Sequence, residues 1–211
     1  RSDQASAAIQ VAGIVTFALL AAAGAQLRIY LWEVPITLQT LAVYGSGLVL
    51  GSRNGTLAML LYLALGLVLP VFAGDAYGPA YFAGATGGYL LGYPLAAATI
   101  GARSRRWNSL PGSGLAVFAG AAVLFTCGVT WLHFAAGHAT WAESIQKGWL
   151  SFIVWDLTKL ALVALLYSGT RRVLRHILPA APCSRPRHRL AVSWTVSKPT
   201  ARRSSRLSSG R

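Results

Sequence analysis

The chain has 211 residues, of which 55% are hydrophobic and 11% are charged, a composition typical of a polytopic membrane protein rather than of a soluble domain. Its formal net charge is +14, but residues 179–211 hold eight Lys or Arg and no acid, and they therefore supply +8 of that total. Only two cysteines are present, Cys127 and Cys183, and no CxxC or Cys/His spacing indicates a disulfide framework or a metal site.

Six mostly uncharged stretches are each long enough to cross a hydrocarbon core of about 30 Å. These predicted spans cover residues 7–26, 36–52, 55–73, 86–102, 112–136 and 149–170. Because the connecting loops are short, the sequence predicts one all-α domain over residues 1–178, a bundle of six transmembrane helices. Basic residues follow spans two, four and six, so the positive-inside rule places those ends and both termini in the cytoplasm.

Span one carries small residues four positions apart, Ala18 and Ala22, on a face that allows close helix contact. Such a face can pack inside the bundle or dock another membrane subunit, and the spacing does not separate the two. The chain begins at Arg1 and its single methionine is Met59, so we expect the native start to lie outside this sequence.

Residues 34–40 (VPITLQT) connect spans one and two. Pro35 cannot continue a helix, so the chain turns or runs extended there. Thr37, Gln39 and Thr40 then place neutral hydrogen-bonding groups at the outer mouth of span two. The threonines can also cap the helix, and the Gln39 amide, which needs a partner inside a span, can contact either a substrate or a neighbouring helix.

Residues 84–94 (GATGGYLLGYP) open span four with a glycine at every fourth position, a pattern typical of close helix packing. Thr86, Gly87, Gly88 and Tyr89 stand at its outer end, where adjacent glycines let the backbone approach a ligand. We expect Gly87 and Gly88 to form a ligand cradle with Tyr89 as its aromatic wall, although Tyr89 can instead belong to the interfacial aromatic belt.

Asp156 and Lys159 are ionisable residues inside the otherwise apolar span six. They are three positions apart and share one helix face, and a helix that starts near Trp149 would place Asp156 about 10 Å deep. A charge near the bilayer centre costs roughly 2.5–3.5 kcal/mol, so such residues usually face a partner, a cavity or a substrate. A salt bridge within the helix competes with a substrate site, but a buried pair without a purpose is usually no better than apolar side chains. A cyclic urea, with N–H donors beside a carbonyl acceptor, would match both groups.

The sequence lacks the motifs that would indicate an enzyme or a motor. It has no GxxxxGK[ST] phosphate loop, no HExxH and no GxSxG. His133 and His138 flank span five without companions at ligand spacing, so we expect interfacial histidines, no metal and no cofactor. One buried polar site without an ATP-binding motif indicates a substrate-binding subunit.

Four segments together resemble the biotin-binding membrane subunits (BioY type) of energy-coupling factor transporters. They are VPITLQTLAV (34–43), GLVLGSRNGTLAMLLYLALGLVLPVFAG (47–74), GATGGYLLGYPLAA (84–97) and the Asp156/Lys159 pair. The similarity extends over about residues 7–175. The chain departs from the family pattern at Ala85, where the family has Pro, and at Val154-Trp155, where it usually has Pro-Gly.

The resemblance implies high-affinity biotin binding near the outer face of the membrane, and biotin uptake without an enzymatic activity. The implied biotin-binding residues are Asp156, Lys159, Tyr89, Gly88, Gly87, Thr86, Gln39 and Thr37. It also implies an S-component-like fold in the bacterial cytoplasmic membrane. Such a subunit joins a transmembrane coupling subunit, through the face of Ala18 and Ala22, and two ATPases.

Three alternatives stay open from the residues alone: a subunit for another small vitamin, a membrane scaffold whose Asp–Lys pair is only structural, and an enzyme acting on a membrane-embedded substrate. No motif supports the enzyme. The tail over residues 179–211 is rich in Pro, Ser and Arg, so we expect it to be disordered in the cytoplasm. A basic tail can bind RNA, but attraction to the lipid bilayer is the better interpretation, and we expect no nucleic-acid partner.

Overall fold

Helices dominate the part of the chain that the computed structural model describes, which is residues 2–30, 33–106 and 109–177. The helices are α1 (Ser2–Gln26), α2 (Gln39–Gly66), α3 (Pro79–Ala83), α4 (Gly87–Ser104), α5 (Leu110–Ala135), α6 (Trp141–Gly148) and α7 (Ile153–Ile177). Two short strands, β1 (Arg28–Tyr30) and β2 (Pro35–Thr37), connect α1 to α2, and a 3-10 turn, Leu150–Phe152, precedes α7. The prediction of a mostly helical protein is confirmed. The predicted disordered tail, residues 179–211, lies outside the described residues.

Helix α2 folds back on itself at Gly51. This residue has a φ of +80°, in the left-handed region that favours glycine. The Gln39 amide donates a hydrogen bond to the Tyr62 hydroxyl, although the two residues would lie about 35 Å apart in a straight helix. The two arms of α2, residues 39–50 and 52–66, are therefore antiparallel neighbours, and their turn lies beside the predicted boundary between spans two and three.

Four segments of the described residues are long and apolar enough to cross a membrane. They are Ser6–Gln26, Gln39–Gly66, Leu110–Ala135 and Trp141–Tyr167. The protein is therefore a multi-pass membrane protein. The segment Gln39–Gly66 is counted as one of the four, although it contains both arms of α2. Helix α4, which covers the predicted span 86–102, falls outside this set because its glycines, its tyrosines and the terminal Arg103 lower its hydropathy.

The core lies where α4 packs against α2 on one side and α5 on the other, with α1 packed against α2. Its largest almost completely buried side chains are Tyr44, Tyr62, Phe72, Met59, Ile100, Leu124 and Leu132. A buried tyrosine hydroxyl needs a hydrogen-bond partner. The two tyrosines in this set therefore require polar groups within the bundle.

The alanine face of α1 packs inside the bundle. Ala18, Ala21 and Ala25 are completely buried, and Ala22 is half-buried against the same core. Small side chains let α1 approach its neighbours closely, and this packing accounts for the burial of Ala18. Contrary to the implied contact, Ala18 has no surface left for a coupling subunit.

Strands β1 and β2 form an antiparallel hairpin between α1 and α2, with Arg28 opposite Thr37 and Tyr30 opposite Pro35. The prediction of extended chain at Pro35 is confirmed. The hairpin brings Thr37 and the residues next to it to the start of α2, where the cavity described below opens.

Helix α7 begins later than the sequence predicts. Trp149 leaves helical geometry with a φ of −133°, and the 3-10 turn that follows delays the regular helix to Ile153. Asp156 consequently lies in the first turn of α7, about 4–5 Å from the start of the helix rather than about 10 Å. The observed start of the regular helix therefore differs from the expected start near Trp149, because the sequence pattern of span six does not reveal this break.

Candidate functional site

A polar cavity of about 50 Å³ lies between β2, the first arm of α2, α4, α5 and the start of α7. The residues that line it are Val34, Pro35, Ile36, Thr37, Gln39, Thr40, Ala73, Tyr81, Thr86, Tyr89, Leu90, Tyr93, Leu124, Phe125, Phe152, Asp156 and Lys159. Six of the eight residues implied as ligand contacts are in this set: Asp156, Lys159, Tyr89, Thr86, Gln39 and Thr37. The fold thus collects these residues from three separate segments of the chain.

Asp156 is a buried carboxylate, with 6% of its surface exposed. The Tyr44 hydroxyl donates to it, at 2.9 Å from Oδ1 and 2.8 Å from Oδ2. The first turn of α7 also favours a negative charge, because the unpaired N–H groups of a helix start carry partial positive charge. A carboxylate has about four acceptor positions, so Asp156 can accept further N–H donors from the cavity.

Lys159 is buried beside it, and its ammonium Nζ donates to the Thr37 carbonyl oxygen at 2.8 Å and to Thr40 Oγ1 at 3.0 Å. An ammonium has three N–H donors, so one remains for a ligand. Among the described residues no ion pair within 4.0 Å joins Lys159 to Asp156. The pair is therefore not a salt bridge that satisfies itself: each charge is held by other groups and both face the same cavity.

Gln39 is the centre of a second polar cluster on the cavity wall. Its Oε1 accepts from Thr37 Oγ1 at 2.9 Å and from the Tyr93 hydroxyl at 3.0 Å, while its Nε2 donates to the Tyr62 hydroxyl. These bonds connect β2, both arms of α2 and α4. Gln39 therefore joins helices as well as lining the cavity, and the two alternatives that the sequence left open are not exclusive.

Tyr89 forms part of the aromatic wall of the cavity. Its hydroxyl donates to the Gly148 carbonyl oxygen at 2.7 Å, and its ring meets Phe125 edge to face at 6.2 Å. Phe125 in turn stacks on Trp149 at 6.2 Å. The Tyr89 side chain is buried and points inward, so it does not belong to an interfacial belt.

Gly87 and Gly88 do not line the cavity, which differs from the predicted ligand cradle. A Cβ at Gly88 would lie 2.2 Å from the Cβ of Trp131 on α5, and one at Gly87 would lie 1.9 Å from the Phe82 carbonyl oxygen. Both glycines are needed for close approach of α4 to its neighbours. The pattern of small residues is explained by helix packing at these two positions.

The sequence did not identify three of the residues that complete the site: Tyr44, Tyr93 and Phe125. Tyr44 lies 112 positions before Asp156, and no spacing rule joins residues so far apart. The available signal was a tyrosine inside an apolar span, since a buried hydroxyl needs a polar partner. Applied to Tyr44 and Tyr93, that rule would have placed both near polar side chains.

An ion network lies beside the cavity, next to Val34. Lys147 Nζ is 3.1 Å from Glu33 Oε1 and 2.9 Å from Glu143 Oε1, and His138 Nε2 is 3.7 Å from Glu33 Oε1. A hydrogen bond from its own backbone N–H, followed by Lys147, holds the pKa of Glu33 below its ordinary value of 4.5. At neutral pH the network therefore holds α6 against the segment between β1 and β2.

Comparison with known proteins shows which proteins this chain is similar to. The family model described as the BioY family matches residues 2–176. The chain is 38% identical over 151 residues to the biotin transporter BioY of Thermotoga maritima, covering 71% of this chain and 88% of that protein. It is 35% identical over 160 residues to the probable biotin transporter BioY of Pyrococcus horikoshii, covering 74% and 93%.

A solved structure has the same fold. It is the S-component for biotin from an ECF-type ABC transporter, with a TM-score of 0.73 and 25% sequence identity. The alignment covers 79% of this chain and 93% of that one. The similarity thus extends over nearly the whole of the neighbour.

Proposed function

The chain belongs to the BioY family, and on that premise we propose that it is a biotin uptake subunit whose ligand site is the polar cavity between β2, α4 and α7. The observation that carries the site assignment is the arrangement of Asp156 and Lys159. Two buried, oppositely charged groups face one cavity, are held by different partners and form no ion pair with each other. The chain is not an enzyme.

The ureido ring of biotin suits these two groups. It presents two N–H donors beside one carbonyl acceptor. We assign Asp156 to the N–H groups, since its carboxylate has acceptor positions beyond the Tyr44 bond, and Lys159 to the carbonyl, through its third N–H. Charge-assisted hydrogen bonds of this kind are roughly twice as strong as neutral ones.

The other cavity residues would shape the rest of the pocket. Thr37 and Gln39 supply neutral hydrogen-bonding groups, and Thr86 and Tyr89 supply the wall at the start of α4. The apolar side chains of Phe125 and Phe152 suit the hydrocarbon portion of the ligand. Gly87 and Gly88 act indirectly, by allowing α4 and α5 to approach each other.

Ligand entry requires movement of the cavity wall. A volume of about 50 Å³ is well below the roughly 300–1,000 Å³ of pockets that hold small molecules. The β1–β2 hairpin is the best candidate to move, because it contributes Val34, Pro35 and Thr37 to the lining and is short.

We further propose six membrane crossings, formed by α1, the two arms of α2, α4, α5 and α7, with both termini in the cytoplasm of a bacterial cell. Arg53 and Arg105 lie at the Gly51 end of the bundle, opposite the cavity. The positive-inside rule then directs the cavity outward. Uptake would need a transmembrane coupling subunit and two ATPases, since the chain has no phosphate loop; of the two alanines assigned to that contact, only Ala22 has exposed surface.

Calorimetric titration of the purified chain in detergent with biotin, and with a panel of other small vitamins, tests this function. We expect one biotin per chain and no competition by the other vitamins. A chain that binds another vitamin and not biotin would contradict the proposal.

A further inference from the structure

A second cavity, of about 620 Å³, runs along the outside of the bundle between α1, the first arm of α2 and α7. Its walls are almost entirely apolar, with Leu20, Leu38, Val49, Leu162 and Leu166 each at least one-third exposed. This groove shares no residue with the polar cavity. A molecule bound in this groove would therefore not contact the residues of the proposed biotin site.

The dimensions of the groove limit what can fill it. It follows the first arm of α2 from Leu38 to Val49, a rise of about 16 Å, which is close to half of a hydrocarbon core of about 30 Å. The groove thus has the length and the apolar walls that suit one lipid acyl chain.

A polar cavity adjoins the groove at the Gly51 end. It has a volume of about 370 Å³ and shares Leu48, Val49 and Tyr167 with the groove. Ser104 and Arg105 also line it. Arg105 is exposed, and its guanidinium forms no hydrogen bond or ion pair with the described residues. A guanidinium that is open to a ligand thus stands at the end of an apolar groove.

We propose that the groove and the adjoining cavity together bind one anionic phospholipid, with an acyl chain along α2 and the phosphate on Arg105. The charge of Arg105 complements a lipid phosphate, which the planar guanidinium can bind through two parallel hydrogen bonds. The position of Arg105 matches the level at which an acyl chain in the groove would end. The bound lipid would contact α1, α2 and α7 together. The site would select lipids by the charge of their headgroup.

Native mass spectrometry of the detergent-purified chain tests the proposal. Phosphatidylglycerol and phosphatidylcholine with identical acyl chains are titrated separately, so that only the headgroup differs. We expect one phosphatidylglycerol per chain, bound about tenfold more tightly than phosphatidylcholine, because both lipids offer a phosphate to Arg105 but the choline cation of phosphatidylcholine repels the guanidinium. Arg105→Ala should remove that preference. Arg103→Ala, on the same helix but outside the cavity, is the matched control and should leave it in place.

A groove-filling variant checks the acyl-chain position. Ala23 is exposed and lines the groove, so Ala23→Trp should weaken both lipids without disturbing the core. Equal binding of the two lipids, or equal losses in Arg105→Ala and Arg103→Ala, would overturn the proposal. Displacement of the lipid by inorganic phosphate alone, or a chain dimer whose formation expels the lipid, would also overturn it.

Discussion

Lys159 donates a hydrogen bond of 2.8 Å to the carbonyl oxygen of Thr37, which lies 122 positions earlier in the chain. The bond connects the first half of α7 to the last residue of the β1–β2 hairpin. An ammonium that is buried in an apolar bundle needs such partners, because an uncompensated charge there is costly. In the proposed function Lys159 keeps this bond and gives its third N–H to the ligand carbonyl.

Tyr44→Phe should lower the unfolding free energy by about 1–3 kcal/mol, since it removes the hydroxyl that donates to the buried Asp156 carboxylate. Denaturant titration in detergent measures the change. A double-mutant cycle with Asp156→Asn isolates the pair. If the two substitutions are strictly additive, the hydroxyl does not stabilise the carboxylate and this part of the site is wrong.

Gln39→Leu should be destabilising by a similar amount, about 1–3 kcal/mol, because it leaves the buried hydroxyls of Tyr93 and Tyr62 without their amide partner. The thermal unfolding midpoint in detergent is the measurement. Gln146→Leu, at an exposed glutamine of α6, is the matched control and should change the midpoint little. Equal midpoints for the two variants would show that the cluster around Gln39 does not hold the helices together.

Gly88→Ala should destabilise the fold by about 1–3 kcal/mol through overpacking, since the added methyl overlaps Trp131. Gly114→Ala on α5 meets nothing within 4 Å and should instead be stabilising by about 0.5–1 kcal/mol. Both are followed by thermal unfolding and by biotin titration of the folded protein. A Gly88→Ala protein that keeps its thermal midpoint but loses biotin affinity would restore the ligand-cradle interpretation.

Glu33→Gln should reduce the thermal midpoint at neutral pH but have no effect in acid. The folded protein holds the pKa of Glu33 below 4.5, so its contribution is present above that value and is lost as the pH falls through the lowered pKa. The effect should be small and should shrink in high salt, because 37% of the Glu33 side chain is exposed and solvent screens its carboxylate. A difference between the two proteins that grows at low pH would contradict the ion network.

The sequence was sufficient to identify the charged and amide residues of the site, but not the tyrosines that hold them in place. Asp156, Lys159 and Gln39 are conspicuous because ionised and amide groups are rare and costly inside apolar spans. Tyr44 and Tyr93 are not, because a tyrosine is common in such spans and its partner lies far away in the sequence. The roles of Gly88 and Ala18 also depended on which neighbour they face, and small residues at four-residue spacing predict a close contact without naming the partner.

The boundaries of the helices could likewise be predicted where polar residues mark them, and not where the sequence stays apolar. The turn at Gly51 was predicted near its observed place because Ser52, Arg53 and Asn54 interrupt the apolar run. The break before α7 was missed because the residues around Trp149 are apolar, and a 3-10 turn leaves no mark on hydropathy. The result is that Asp156 lies in a first helical turn, where the backbone itself favours its charge.

The central claim is that Asp156 and Lys159 hold the ureido group of biotin, and titration calorimetry of Asp156→Asn and Lys159→Ala against the unchanged protein tests it most directly. Loss of one charge-assisted hydrogen bond should weaken biotin binding by about tenfold or more in each variant. Lys147→Ala, which removes an amine outside the cavity, serves as the control and should retain the original affinity. Unchanged biotin affinity in both cavity variants, with the fold intact, would contradict the account.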